Sequence, residues 1–196
     1  MARAVRRAQI LAVAQELFAR DGFHHASMDD IANSAEVSKP VLYRHFPSKL
    51  DLYLDVVDHR GEALVSAIDT TLETVVDGET DGRSVVRALV RAYVEFVEHA
   101  GTSSSLLFES DVTRDTAVRH RVEQASAAAA ESICRRLREL AGLPPGQAEL
   151  LSTALVGLAR VAATSRYRSQ EVSIEDTVEL ITQLAWRGVA GFVKER

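Results

Sequence analysis

The stretch Val37-Ser-Lys-Pro-Val-Leu-Tyr-Arg-His-Phe-Pro-Ser-Lys49 decides the fold. Ser38 caps a short helix expected over Lys39 to about His45, and Pro47 stops it. Leu42 and Phe46 stand four residues apart on one face, which they bury, with Ile31, Val37 and Leu17 as expected neighbours. Pro40 and Arg44 lie two residues either side of Leu42 and face outward, with Val41 beside them. Working toward the N-terminus, Ser27 is a second N-cap, with Asp30 three residues on in a weak form of the capping box. The helix it opens runs through Ile31 to about Ala35. Before it, Ile10, Val13, Ala14, Leu17 and Phe18 follow helical spacing, and Gly22 is expected to end that helix. Two short helices joined by a tight turn and preceded by a longer one make a three-helix helix-turn-helix unit.

The outward face of the second short helix has the chemistry of base readout. Arg44 forks onto guanine O6 and N7, and Pro40 and Val41 suit thymine methyls. Lys39, Tyr43, His45 and Lys49 flank this face and suit phosphate oxygens. The helix starts at Ser27 and Ser38 add free backbone N–H groups. Residues 1 to 7 hold Arg3, Arg6 and Arg7. They read equally as a basic arm lying along phosphates or in the minor groove, or as a solvated, frayed terminus.

Three stretches carry a resemblance to a known family. They are Phe18-Ala-Arg-Asp-Gly-Phe23, Ser27-Met-Asp-Asp-Ile-Ala32 and the run from Val37 to Lys49. Over roughly residues 5 to 54 the chain resembles the TetR family of bacterial transcription regulators. The resemblance implies a homodimer whose two recognition helices read adjacent major grooves of a palindrome-like operator. It also implies a variable C-terminal helical domain that binds a small effector and forms the dimer. By position Tyr43, His45 and Lys49 match the family's usual phosphate contacts. The turn departs from the pattern, with Glu36 where the family usually has Gly. Either a left-handed backbone there is strained for Glu or the turn takes another geometry, and an acid near the DNA-facing surface is expected to weaken affinity slightly.

Composition alone points elsewhere. The chain has 196 residues, 46% hydrophobic and 26% charged, with a net charge of −5. These values exclude disorder, collagen and disulfide scaffolds. An acidic protein is repelled by DNA, but the charge is unevenly laid out. Residues 1–50 carry seven Lys/Arg against five Asp/Glu, and the rest carry sixteen against twenty-three. Between Ser38 and Lys49 there are three basic residues and no acid. A lone cysteine, Cys134, cannot form an internal disulfide, and the basic N-terminus lacks an apolar signal core; the expected location is the cytoplasm. Uncharged runs of only about ten residues leave nothing near the roughly 20 apolar residues of a membrane span.

The rest of the chain also reads as helix. Expected segments are Ser48 to about Val76, Ser84–Ala100, a short piece around Leu106–Phe108, about Thr116 to Ala141, Gln147–Arg168 and Ile174 to about Val193. The expectation is an all-α protein of nine helices. A helix-turn-helix DNA-binding domain over 1–47 precedes a six-helix effector-binding and dimerisation bundle over 48–196. In the bundle, the run Ala125 and Ala127–Ala130 opposite Tyr93, Phe96, Val97, Leu107 and Phe108 leaves room for an apolar ligand or simply permits close helix packing. Val122 and Ala129 complete the candidate lining. The effector class this suggests is apolar or amphipathic. A looser likeness of the C-terminal part to actinobacterial TetR-type regulators of lipid metabolism implies a fatty acyl compound. Arg121, Arg160, Arg166 and Arg168 are candidates for an acidic headgroup or for plain solvation.

Leu151, Leu155, Leu158 and Val161/Ala162 mark one face of the eighth helix. Val178, Ile181, Ala185, Val189 and Phe192 mark one of the ninth. They are read as a homodimer interface or as intrachain core. No cofactor or metal is expected: His24 and His25 point apart, and Asp29-Asp30 and Glu175-Asp176 sit in first helical turns. A nucleophile with its base and orienting partner is missing, which disfavours an enzyme. The alternative readings are a helical small-molecule carrier or enzyme without DNA binding, and an adaptor that has kept the fold and lost DNA binding.

Overall fold

Ile10, Ala14, Leu17 and Phe18, spaced to share a face, are all buried and give the first helix its packing side. A computed structural model describes residues 3–74, 81–108, 112 and 115–189, with the side chains at 140, 141 and 189 excepted. Among these residues there are nine α-helices and no strand. They are α1 (Arg3–His25), α2 (Met28–Ser34), α3 (Lys39–His45), α4 (Lys49–Glu73) and α5 (Gly82–Ala100). After a 3₁₀ turn at Gly101–Ser104 come α6 (Ser105–Phe108), α7 (Thr116–Ala141), α8 (Pro145–Ser169) and α9 (Ile174–Val189).

Two boundaries differ from the sequence reading. Gly22 bends α1 rather than ending it, at φ 77° and ψ 165°, and a further turn carries on to His25. The N-terminal arginines belong to α1, which starts at Arg3, and are not an extended arm. The ends expected at Val76 and Val193 lie outside the described residues.

The chain forms two compact units, Met1–Gly61 with Thr102–Glu123, and Glu62–Gly101 with Gln124–Arg196. The sequence break at Pro47 marks the end of the helix-turn-helix. The first compact unit continues past it because α4 begins with Leu52, Tyr53, Val56 and Val57, all buried. Tyr53 meets Phe18 and Phe23 edge-on at 5.0 and 5.1 Å between ring centres, which fixes α4 against α1. Leu42 and Phe46 are buried with Ile31 and Leu17, so α3 has an apolar anchor. Val37 is only half-buried.

The turn between α2 and α3 closes as a Schellman motif. The Val37 N–H donates to the Ala32 carbonyl at 3.0 Å and the Glu36 N–H to that of Asn33 at 3.1 Å. Such a turn places its next-to-last residue in the left-handed region, and Glu36 has φ 52°. A side chain there costs roughly 1–2 kcal/mol that glycine avoids.

In the second unit α5 packs against both α8 and α9. Its edge carries an ion-pair ladder to α9. Arg83 and Arg87 reach Glu179, and Arg87 and Arg91 reach Glu175, at 2.5–2.8 Å. Hydrogen bonding from Arg91 holds the Glu175 carboxyl below its ordinary value, and hydrogen bonding from Gln183 does the same for Glu179. The ladder therefore contributes above the ordinary carboxylate pKa and is lost as pH falls through these lowered values.

Replacing Glu36 tests the turn. Glu36→Gly is expected to be more stable than Glu36→Gln, which removes the charge but keeps the side chain, by about 1 kcal/mol. That is a rise in Tm of roughly 2–4 °C. Equal stability of the two variants would mean that Glu36 carries no backbone strain.

Candidate nucleic-acid interface

With Leu42 and Phe46 turned inward, the opposite face of α3 is left to solvent. Lys39, Pro40, Tyr43 and Arg44 are exposed, and Val41 and His45 are half-buried. The two N-caps differ in their chemistry. Ser27 Oγ accepts the Asp30 N–H at 3.1 Å and donates to the Asp30 carboxylate, so its hydroxyl is spent within α2. Ser38 caps α3 by backbone geometry alone, with no side-chain capping hydrogen bond, and it lines an open cleft. Lys39 pairs with Asp29 of α2 at 2.6 Å. Hydrogen bonding to Asp29 raises the Lys39 pKa. Both partners are more than half exposed, and such pairs are readily exchanged for another anion.

Lys49 is placed differently from the outward phosphate contact expected of it. Its Nζ donates to the carbonyls of Phe23 at 2.7 Å and Ala26 at 3.0 Å, with His24 at 3.5 Å. The ammonium also sits 4.5 Å from the centre of the Phe23 ring. These carbonyls are left over where α1 bends at Gly22 and ends, so Lys49 closes α1 and ties it to the start of α4.

Arg3 and Arg6 complete the surface. With Glu36, Val37, Ser38, Val41, Arg44 and His45 they line a cleft of about 640 Å³. Arg7, one residue on, lies over the Phe46 ring at 4.7 Å and pairs with Asp55 of α4. Burial, and then the positive charges of Arg3, Arg44, Arg7 and Arg6, push His45 below its ordinary 6.5, so it is neutral at neutral pH. The signal for the α1 arginines was their spacing of three, which places Arg3 and Arg6 on one face once the helix starts at Arg3.

The candidate ligand residues divide between the two units. Tyr93, Phe96 and Val97 are buried on α5, and Ala129 is buried on α7 in the same unit. Leu107, Phe108 and Val122 belong to the other unit. Burial raises the Tyr93 pKa, opposed by the charge of Arg160. The alanine run has two faces: Ala129 and Ala130 are buried, whereas Ala127 and Ala128 are exposed. Arg121 is engaged by Asp58 and Arg166 by Glu98, so neither is the unpaired headgroup ligand considered from sequence.

The faces read as dimer interface or intrachain core divide between the two. Leu155, Val178 and Ala185 are buried within the chain, on two helices against which α5 packs. Val189 and Phe192 lie outside the described side chains. The apolar residues left on the surface are Leu150 (74% exposed) and Val161 (58%) on α8, and Leu180 (62%) and Leu184 (61%) on α9.

A family model described as "Bacterial regulatory proteins, tetR family" matches residues 10–56, which span α2, α3 and their supports. The chain is 35% identical over 188 residues to the HTH-type transcriptional activator FasR of Mycolicibacterium smegmatis, covering 94% of this chain and 83% of that protein. The chain belongs to the TetR family. A solved TetR-like transcriptional regulator from Rhodococcus sp. RHA1 is 30% identical at a TM-score of 0.75, covering 97% of this chain and 99% of that one. The fatty acid degradation regulator FadR from Bacillus halodurans has a TM-score of 0.73 at 17% identity over 92% and 94% of the two chains, a likeness of fold alone. As a TetR-family protein with an N-terminal helix-turn-helix, the chain is a DNA-binding transcription regulator and not an enzyme. No helix among the described residues is long and apolar enough to cross a membrane.

Lys49 separates a structural from a DNA-contacting role in this TetR-family module. Lys49→Met is expected to lower stability by about 1.5–3 kcal/mol, the loss of charged hydrogen bonds to carbonyls. The salt dependence of DNA binding by the folded variant should stay unchanged. Unaltered thermal stability with a shallower salt slope would place the ammonium on phosphate instead.

Proposed function

We infer that the protein is a homodimeric operator-binding repressor, acting in the cytoplasm, whose DNA affinity is set by a small apolar or amphipathic effector. The observation that carries this reading is the outward face of α3: Arg44, Pro40 and Tyr43 exposed on a seven-residue helix held by Leu42 and Phe46. Residues 1–47 are the DNA-binding module and 48–196 the effector-binding and dimerisation part. Arg44 reads guanine, Pro40 and Val41 contact thymine methyls, and Lys39, Tyr43, His45 and Ser38 hold phosphates. Ser27 supports the same surface as the cap of α2. Lys49 positions it.

The effector site is assigned to the buried face of α5 at Tyr93, Phe96 and Val97, with Ala129 of the same unit. This lining suits a fatty acyl chain or a compound like it. Dimerisation is assigned to α8 and α9, since Leu150, Val161, Leu180 and Leu184 are large apolar side chains left exposed on two helices in contact. A second reading of the sign, activation, is favoured by the name of the M. smegmatis relative, a transcriptional activator. A promoter fusion in the presence and absence of the regulator separates the two signs.

Operator binding tests the DNA assignment. Using DNA selected from the host genome, Arg44→Ala is expected to cost about 1–3 kcal/mol and to relax preference at one base position. Lys39→Gln should weaken binding on all sequences and reduce the salt slope by about 0.9. Wild-type binding by both variants would remove α3 from the interface. For the dimer, the double variant Leu180→Glu with Leu184→Glu should run as a folded monomer in light scattering. A dimer of undiminished affinity would locate the interface elsewhere.

A further inference from the structure

The cleft beside α3 joins charges that the sequence keeps apart. Arg3 and Arg6 come from the first turns of α1, Arg44 from α3, and Glu36 from the turn between α2 and α3. We propose that this cleft is a second phosphodiester-binding site flanking the base-reading face, and that Glu36 is its built-in counter-anion, which sets how tightly the regulator holds DNA. This rests on the reading of α3 as the DNA-reading helix and adds to it the α1 arginines and an attenuating acid.

Four observations carry the proposal. First, the cleft is about 640 Å³ and is lined by three arginines, Arg3, Arg6 and Arg44, with Ser38, residue types that suit phosphate oxygens; Arg6 also donates to Gln9 Oε1 at 3.0 Å, which leaves its other N–H groups for a ligand. Second, His45 lines the same cleft, and its Nδ1 is enclosed without a hydrogen-bond partner among the described residues. The ring therefore has an unmet hydrogen-bonding capacity beside the arginines of the cleft. Third, Glu36 is exposed, and among the described residues it makes no ion pair within 4 Å. It therefore acts on the cleft through its field and is not consumed as an arginine's structural partner. Fourth, Glu36 stands at a backbone position of φ 52° that glycine fills without strain. The acid is thus kept at a position that costs the fold strain and beside arginines that attract phosphate, where its own charge opposes DNA binding.

Field effects of this kind are felt within a Debye length, about 10 Å at 0.1 M salt, and fade as salt rises. Removing the carboxylate leaves the arginines free to displace counterions from DNA. Affinity and salt slope should then rise together.

The experiment compares full-length wild type, Glu36→Gln, the double variant Arg3→Gln with Arg6→Gln, and Arg44→Ala. The probes are one genome-selected duplex and one random duplex, titrated across 50–300 mM salt. Thermal melting confirms that each variant is folded. Glu36→Gln is expected to bind both duplexes about three- to tenfold tighter at 0.1 M salt, with a steeper slope and a difference that closes at high salt. The Arg3/Arg6 variant should bind both more weakly, with a slope shallower by up to about 1.8, two phosphate contacts. Wild-type affinity and slope for Glu36→Gln, or for the Arg3/Arg6 variant, would overturn the proposal. In that case a loss of operator preference by Arg44→Ala leaves the reading of α3 standing. Wild-type behaviour of Arg44→Ala as well would take both down.

Discussion

Helix α3 exists because Leu42 and Phe46 are buried. Seven residues are too few to hold a helix in water, since nucleation is costly and little is left to propagate. The two side chains are buried, as are Ile10, Leu17 and Phe18 of α1, Ile31 of α2 and Leu52 and Tyr53 of α4 in the same unit. On the proposed reading of α3, DNA binding depends on that burial, because the face opposite Leu42 is the one offered to base edges. The supporting parts follow from it. α1 must bend at Gly22 to bring Phe23 onto Tyr53, Lys49 must close the carbonyls at that bend, and the Schellman turn must deliver α3 at a fixed angle to α2.

The same packing explains how an acidic protein carries a DNA-binding surface. The net charge of −5 belongs to the whole chain, and most of the excess acid lies beyond residue 50. The second unit uses part of its acid internally, in the ladder that joins Arg83, Arg87 and Arg91 to Glu175 and Glu179. Around α3 the balance is reversed, with Arg3, Arg6, Arg7 and Arg44 setting the local field at His45. Glu36 is the acid set into that positive cleft. Affinity for DNA is on this account a local balance of a few groups, and bulk charge limits only nonspecific contact.

Much of this was legible in the sequence, and the reasons are local. A Ser cap, an i, i+4 apolar pair and a stopping proline define α3 within ten residues, so its limits and faces could be read directly. Glu36 could be read as strained because a tight turn between two helices restricts φ whatever surrounds it. Lys49 could not be read, since a lysine beside a DNA-facing helix looks the same in sequence whether its ammonium meets phosphate or three carbonyls twenty-odd residues away. The α8 and α9 faces could not be divided between interface and core for a related reason. Each helix has two apolar sides, and only burial in the folded chain shows that Leu155, Val178 and Ala185 are used internally while Leu150, Leu180 and Leu184 are left exposed. The α1 arginines looked like a tail because the apolar periodicity of α1 starts only at Ile10, whereas the helix itself begins at Arg3.

The most direct test of the account is a footprint on DNA recovered from the host genome with the intact protein at low salt. Two copies of α3 on one dimer should protect two inverted half-sites, centred one helical turn or a small multiple of it apart, 10–10.5 base pairs per turn. Methylation of guanine N7 within each half-site should block binding, as expected where Arg44 forks onto that base. Retention of no fragment, or protection of a single site with no inverted partner and no sensitivity at guanine N7, would contradict it.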